Sequence, residues 1–360
     1  MLCAACAGPD SATLPHIPAD EVAAEKRTQQ MSQAREYFAQ LRQIENVAFR
    51  IRAANRADCK EFVAGQIGIR AGTVKNLPIY YRTFSSEALN LSWTTPSVTS
   101  VADDSPAAAA GIKVGDQVVS FNGEPLPGTD IPEWVERYLK KNGERPLEIK
   151  INRDGKEKTL TLQPIIACAI PVTLLTASEP NAATDGERIV IQSGILRLIR
   201  SDSDLATIIG HELAHANLGH IAKKRQNAFL GGLSGKLIDG GFLLGGMHTG
   251  GAFAHAFERS GARAYSLDFE READYVGAYY ATRAGYDISG AENIWRALGQ
   301  ESPKAIVYAT THPTSPERFI LMKKAIAEIT DKKRRQLPLE PELKATRVEV
   351  EPAATRENNY

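Results

Sequence analysis

His211, Glu212 and His215 stand in the order H-E-x-x-H within Ile208-Ile-Gly-His-Glu-Leu-Ala-His215. On a helix, His211 and His215 are one turn apart and project from the same face. Two imidazoles placed this way can take two corners of a tetrahedral zinc, and Glu212 reaches the water in the open corner. The surroundings suit a buried metal helix. Asp202 or Ser203 can cap its start, and Leu205, Ile208, Ile209, Leu213 and Ala216 supply apolar faces.

Two histidines leave a catalytic zinc one protein ligand short. His220 follows His211 by nine residues and Gly219 by eight, so the longer H-E-x-x-H-x-x-G-x-x-H pattern is not met. On a continuing helix His220 points roughly half a turn away from His211, which reads as a structural or rim histidine. The better candidate is Asp268-Phe-Glu270-Arg-Glu272-Ala-Asp274-Tyr-Val-Gly277, opening a helix predicted to run to Ala284. Glu270 and Asp274 share a face, so one carboxylate can bind zinc while the other accepts an N–H from a ligating imidazole. Glu272 is expected to point elsewhere, toward Arg271 or a neighbouring helix.

H-E-x-x-H, then Glu270-Arg-Glu-Ala-Asp274, then His312-Pro-Thr-Ser-Pro-Glu-Arg318, resembles the M48 family of zinc metallopeptidases, of the gluzincin type. The resemblance covers roughly residues 165 to 335 and is strongest to the soluble bacterial branch, related to envelope quality-control proteases. It implies an endopeptidase with one zinc per chain, held by His211, His215 and Glu270. Glu212 is then the general base and acid, and Asp274 supports a ligating imidazole. His312 and Arg318 fall on the family's H-P-x-x-x-x-R element, where an imidazole N–H or a guanidinium can stabilise a catalytic oxyanion. His312 can instead ligate the resting zinc, and Arg318 can serve an ordinary salt bridge.

A chain of 360 residues, 43% hydrophobic, is long enough for two domains with separate cores. With 43 basic and 43 acidic residues, nothing favours a nucleic-acid partner. Tyr37, Phe38, Leu41, Ile44, Val47, Ala48 and Ile51 recur at helical spacing between Asp20 and Ala57. Between Ala88 and Pro164, Ser105-Pro-Ala-Ala-Ala-Ala-Gly111-Ile-Lys-Val-Gly115-Asp-Gln-Val-Val-Ser-Phe-Asn122-Gly123 resembles a PDZ domain of the protease-associated bacterial kind. That resemblance implies a small β-sandwich that takes up an extended peptide, often a C-terminus, by strand addition. Its carboxylate-binding loop would have to fall at Asn90-Leu-Ser-Trp93; the alternative role is a spacer or lid. The strand at Arg188–Gln192 is either an edge beside the cleft or a buried core strand.

The predicted fold class is α+β: a mostly helical zincin-like peptidase domain with a small edge sheet, carrying an inserted PDZ β-sandwich. Residues 1–20 are a signal remnant or disordered N-terminus, 21–87 the N-terminal helical part of the peptidase domain and 88–164 the PDZ domain. Residues 165–336 form the zinc peptidase domain and 337–360 a disordered tail. Ala4-Ala5-Cys6 resembles a lipoprotein cleavage site with lipid on Cys6, pointing to a periplasmic or outer-membrane lipoprotein; the alternative is cytoplasmic. Cys59 and Cys168 flank the PDZ block and are either a disulfide or two buried thiols. The Gly-rich apolar stretch 228–257 reads as a lid, or as a surface for unfolded or membrane-associated substrates. Expected partners are unfolded or misassembled proteins, with a peptide C-terminus at the PDZ domain. The alternative function is a chaperone-like or adaptor protein that binds clients through the PDZ block and the Gly-rich stretch.

Overall fold

The computed structural model describes residues 15–342 except 61, 90, 228, 230–265 and 302–314. His312, Cys3, Cys6 and nearly all of the 228–257 stretch therefore lie outside the described residues. The long helix α1 (Ala19–Ala54) buries Tyr37, Phe38, Leu41, Ile44, Val47, Ala48 and Ile51 along one side, as their spacing requires. After it come β1 (Val63–Gln66), β2 (Ile69–Gly72), α2 (Ile79–Leu89), β3 (Ser97–Val101), α3 (Pro106–Ala109), β4 (Gln117–Phe121) and β5 (Glu124–Pro125). Next are α4 (Ile131–Asn142), β6 (Leu147–Arg153), β7 (Lys156–Leu162), β8 (Ile165–Cys168), β9 (Val172–Leu175), β10 (Ala182–Thr184) and β11 (Ile189–Gln192). The helices α5 (Ser193–Leu196), α6 (Asp202–Asn217), α7 (220–227), α8 (Ser266–Arg283), α9 (Glu292–Glu301) and α10 (Pro316–Arg334) complete the described chain.

One sheet runs β2-β3-β4-β6-β7, with β5 paired to β4. Its inward residues Val98, Phe121, Ile149 and Ile151 close against Val135 and Leu139 of α4, an apolar core of its own. The hairpin turns fall at Asn122-Gly123 and Asp154-Gly155, where both residues have positive φ, as a two-residue turn with matching twist needs. The sequence-based division at residue 88 does not coincide with this sheet. β2 pairs antiparallel with β3, so the first strand comes from the segment assigned above to the helical part. Ile67, Ile69 and Val74 alternate between glycines as short strands do, but nothing local assigns them to a sheet whose partner strand begins 25 residues after Gly72.

The second core gathers α1, α6, α8, α9 and α10 around Ile208, Leu213, Val276, Tyr279, Tyr280 and Trp295. A small sheet in the order β10-β11-β9 lies beside it. β11, proposed from sequence as either an edge or a core strand, is the middle strand, with Ile189 and Ile191 buried. The edge strand packed against α6 is β10. Cys59 and Cys168 form a disulfide, which fastens the end of the first helical segment to β8 where the chain leaves and re-enters this core. Residues 337–342, assigned above to a disordered tail, dock on it. The Leu339 carbonyl accepts from Arg283 at 2.6 Å, and the Glu342 N–H donates to the Tyr275 hydroxyl at 2.9 Å.

Candidate metal centre

The metal helix α6 is capped one residue before the first of the expected caps, since Asp202 is already helical. Ser201 is the N-cap, its hydroxyl accepting the Asp204 N–H while the Asp204 carboxylate accepts the Ser201 N–H. Leu205, Ile208, Ile209 and Leu213 seat the helix in the core. The crossing of α6 and α8 depends on two glycines. A Cβ on Gly277 would lie 2.7 Å from the His211 backbone nitrogen, and one on Gly210 would lie 2.7 Å from the Gly277 carbonyl oxygen. Without either Cβ the two backbones meet, which brings the carboxylates of α8 onto the imidazoles of α6.

Three of those side chains converge. His211 Nε2 and His215 Nε2 are 3.0 Å apart, and the Glu270 carboxylate oxygens lie 3.3 Å and 3.4 Å from them. All three are buried, and their candidate ligand atoms fall within 4.8 Å of one another. Two imidazole nitrogens and a carboxylate oxygen are a donor set suited to a divalent transition metal. Asp274 sits behind the cluster, its Oδ1 2.9 Å from His211 Nδ1, so the opposite ring nitrogen faces His215 and Glu270. Glu270 and Asp274, which their spacing puts on one helix face, thus stand at the two different ring nitrogens of His211. Glu212 is buried next to His211 on the same helix.

Electrostatics hold the group together. Burial alone would lower the His211 pKa, but its hydrogen bonds to Asp274 and Glu270 and their charges outweigh this and raise it to about 9. Burial pushes the Asp274 carboxyl up, yet the Arg318 charge and hydrogen bonds, with His211, hold it below the ordinary carboxylate value. Arg318 grips Asp274 with two bonds of 2.6 Å and 2.7 Å and lies 3.3 Å from Glu270. Its guanidinium also lies 4.9 Å from the Trp295 ring centroid. Of the two roles that the sequence leaves open for Arg318, the salt bridge is the one seen here: the guanidinium is buried on the carboxylate that stands beside His211.

His220 departs furthest from expectation. The helix does not continue through it: α6 ends at Asn217, and Gly219 adopts φ 67°, a left-handed conformation. The turn swings His220 back, so that its Nδ1 lies 2.9 Å from His215 Nδ1 and its Nε2 lies 3.0 Å from Glu272. Glu272, expected to point elsewhere, thus joins the site through His220. Gly219 immediately before a histidine was the available signal, because glycine at a helix end marks a reversal that rotational bookkeeping ignores.

A small groove between β2 and α4 is lined by Ile67, Ile69, Val135 and Leu139 and walled on its other side by Arg70, by Glu45 and Arg52 of α1, and by Pro171 and Val172. The segment leading into its strand is Gly65-Gln-Ile-Gly68, not the Asn90–Trp93 segment expected to serve as carboxylate loop. Arg70 crosses to the other core, 3.1 Å from Glu45 and donating to the Val172 carbonyl at 2.7 Å.

With this geometry in hand, residues 171–326 match Peptidase family M48 and residues 65–163 match the PDZ domain. The chain is similar to the mitochondrial metalloendopeptidase OMA1 of Arabidopsis thaliana, 31% identical over 140 residues, covering 38% of this chain and 27% of that protein. It is also similar to the beta-barrel assembly-enhancing protease of Yersinia pestis, 25% identical over 144 residues, 37% of this chain and 29% of that protein. A shorter stretch is 37% identical over 75 residues to the carboxy-terminal processing protease CtpB of Bacillus subtilis, 21% of this chain and 15% of that protein. The matches span between 27% and 44% of the length of the first three curated relatives. The chain joins a domain of peptidase family M48 to a PDZ domain.

Proposed function

We propose that the protein is a zinc-dependent endopeptidase acting on protein substrates, with His211, His215 and Glu270 as the metal ligands. The observation that carries this reading is the buried His–His–Glu cluster with Asp274 fixed behind His211. When bound, the zinc would polarise the scissile carbonyl and acidify the attacking water. The chain's own residues supply the rest. Glu212, adjacent to His211 on α6, takes a proton from the attacking water and passes it to the leaving amine. Asp274, clamped by Arg318, keeps the His211 ring oriented. β10, the edge strand beside α6, offers backbone groups along which an extended substrate can align.

The disulfide between Cys59 and Cys168 supports an oxidising compartment. Together with similarity to a beta-barrel assembly-enhancing protease, it supports a role in envelope protein quality control. Among the described residues no helix is long and apolar enough to cross a membrane. The groove between β2 and α4 supports capture of an extended peptide by the PDZ domain.

The test is Glu212→Gln. Casein cleavage is expected to disappear while zinc content, measured by atomic emission on the purified protein, stays near one per chain. Cleavage by that variant at the wild-type rate defeats the assignment of the base, and a metal-free wild type that cleaves normally defeats the whole reading.

A further inference from the structure

We infer that His220 and Glu272 form a positioning relay that holds His215 in the tautomer whose Nε2 faces the metal site. The inference rests on the reading of His211, His215 and Glu270 as metal ligands. Two ring nitrogens at 2.9 Å need one donor and one acceptor. His215 Nε2 is the nitrogen turned toward His211 and Glu270, and a nitrogen that binds metal carries no proton. The His215 proton therefore sits on Nδ1 and is donated to His220 Nδ1. A neutral His220 then carries its own proton on Nε2, and that N–H donates to the Glu272 carboxylate at 3.0 Å. Once the first nitrogen is assigned, each later proton has one place.

Packing holds the relay in register. The His220 ring is buried, stacks on Phe269 with centroids 4.6 Å apart, and meets His215 edge-on at 4.9 Å. Gly219 at φ 67° makes the turn that brings it there. The two imidazole ligands are thus oriented from behind by different devices. Asp274 reaches His211 directly and is sealed in, whereas Glu272 acts on His215 through an intervening imidazole and its side chain is 44% exposed. A carboxylate behind a ligating imidazole fixes ring orientation and raises the basicity of the ligating nitrogen, and its loss weakens metal binding about 10- to 100-fold.

The experiment titrates Zn2+ into the metal-free, full-length protein against a competing chelator, with 15N-histidine spectra of the loaded protein reporting ring tautomers. His220→Ala is expected to weaken zinc binding about 10- to 100-fold and to perturb the His215 signals. His220→Asn should recover most of the loss, because its Oδ1 can accept the His215 Nδ1–H. Glu272→Gln, at the exposed end of the relay, should weaken binding by a smaller factor without disturbing the fold. Wild-type affinity in both His220→Ala and Glu272→Gln overturns the relay, as does an Asn variant no better than Ala. His211→Ala separates the two readings. If it abolishes zinc binding while the relay variants change nothing, only the relay falls; if the wild type binds no zinc, both fall.

Discussion

The sheet domain and the metal centre are both shielded from water, and they are filled with opposite kinds of side chain. Between the PDZ sheet and α4 the interior is Phe121, Ile131, Val135, Leu139, Ile149 and Ile151. Where α6 meets α8 it is His211, His215, His220, Glu270 and Asp274, with Arg318 reaching in from α10. Each large apolar side chain buried in the first region contributes roughly 1.5–3 kcal/mol relative to exposure. Buried charges contribute stability only while every partner is present, because desolvation offsets much of their attraction. The sheet is therefore organised for stability, and the centre sits in the larger core as a site whose charges need one another.

The widest separation between the two regions should come from Arg318→Ala. It leaves Asp274 buried without its clamp, and breaking such a pair destabilises by about 3–5 kcal/mol. Chemical denaturation of the full chain measures the loss, and exchanging Asp274→Asn with Arg318→Met together should recover part of it. The same pair sets an acid response. The folded-state pKa of Asp274 lies below its ordinary value, so its contribution is complete above about pH 4. That contribution is lost as pH falls through the depressed value. Trp295, against Arg318, reports the loosening in a protein whose Trp93 and Trp134 are replaced by Phe. An acid transition seen in the sheet before Trp295 responds would break the comparison.

The sequence made the centre more legible than the sheet, for a local reason. His211 with His215 and Glu270 with Asp274 are each one helical turn apart, so periodicity alone put each pair on a face. Their meeting needed only two helices with small residues at the crossing, Gly210 and Gly277. Arg318 was visible with a salt bridge as one of its two roles but without a named partner, since its contact with Asp274 spans 44 positions. β2 was missed as a sheet member because its hydrogen bonds are to a distant strand. The groove-leading segment was missed with it. Gly68 has φ 74°, and a Cβ there would lie 2.2 Å from the Ser105 side chain, a constraint that local pattern does not reveal. His220 sits as a structural histidine, but its direction was misread because an assumed continuous helix carried it the wrong way.

A smaller effect should come from the disulfide, which belongs to the core that holds the centre and not to the sheet it brackets. Cys59 and Cys168 are 109 residues apart and buried. Replacing both with Ser is expected to lower stability by about 2–4 kcal/mol, mainly by loosening the unfolded chain's constraint. Zinc affinity measured in the folded baseline should stay within about threefold, because neither sulfur touches the His–Glu cluster. A collapse of zinc affinity at constant fold would mean that the clasp tunes the centre.

The finest test uses two glycines in equivalent conformations. Gly219 and Gly123 have φ values of 67° and 81°, and a Cβ on either meets nothing within 4 Å. Alanine at either position therefore introduces backbone strain without a clash, at about 1–2 kcal/mol. The two substitutions should look alike in denaturant. They should differ in metal binding, because Gly219 turns the chain so that His220 meets His215, whereas Gly123 closes a hairpin in the sheet. Gly219→Ala is expected to weaken zinc several-fold and Gly123→Ala to leave it unchanged. Equal zinc affinities for the two variants would show that the turn at Gly219 serves the fold alone, and would place the sensitivity of the centre entirely on the Asp274 side.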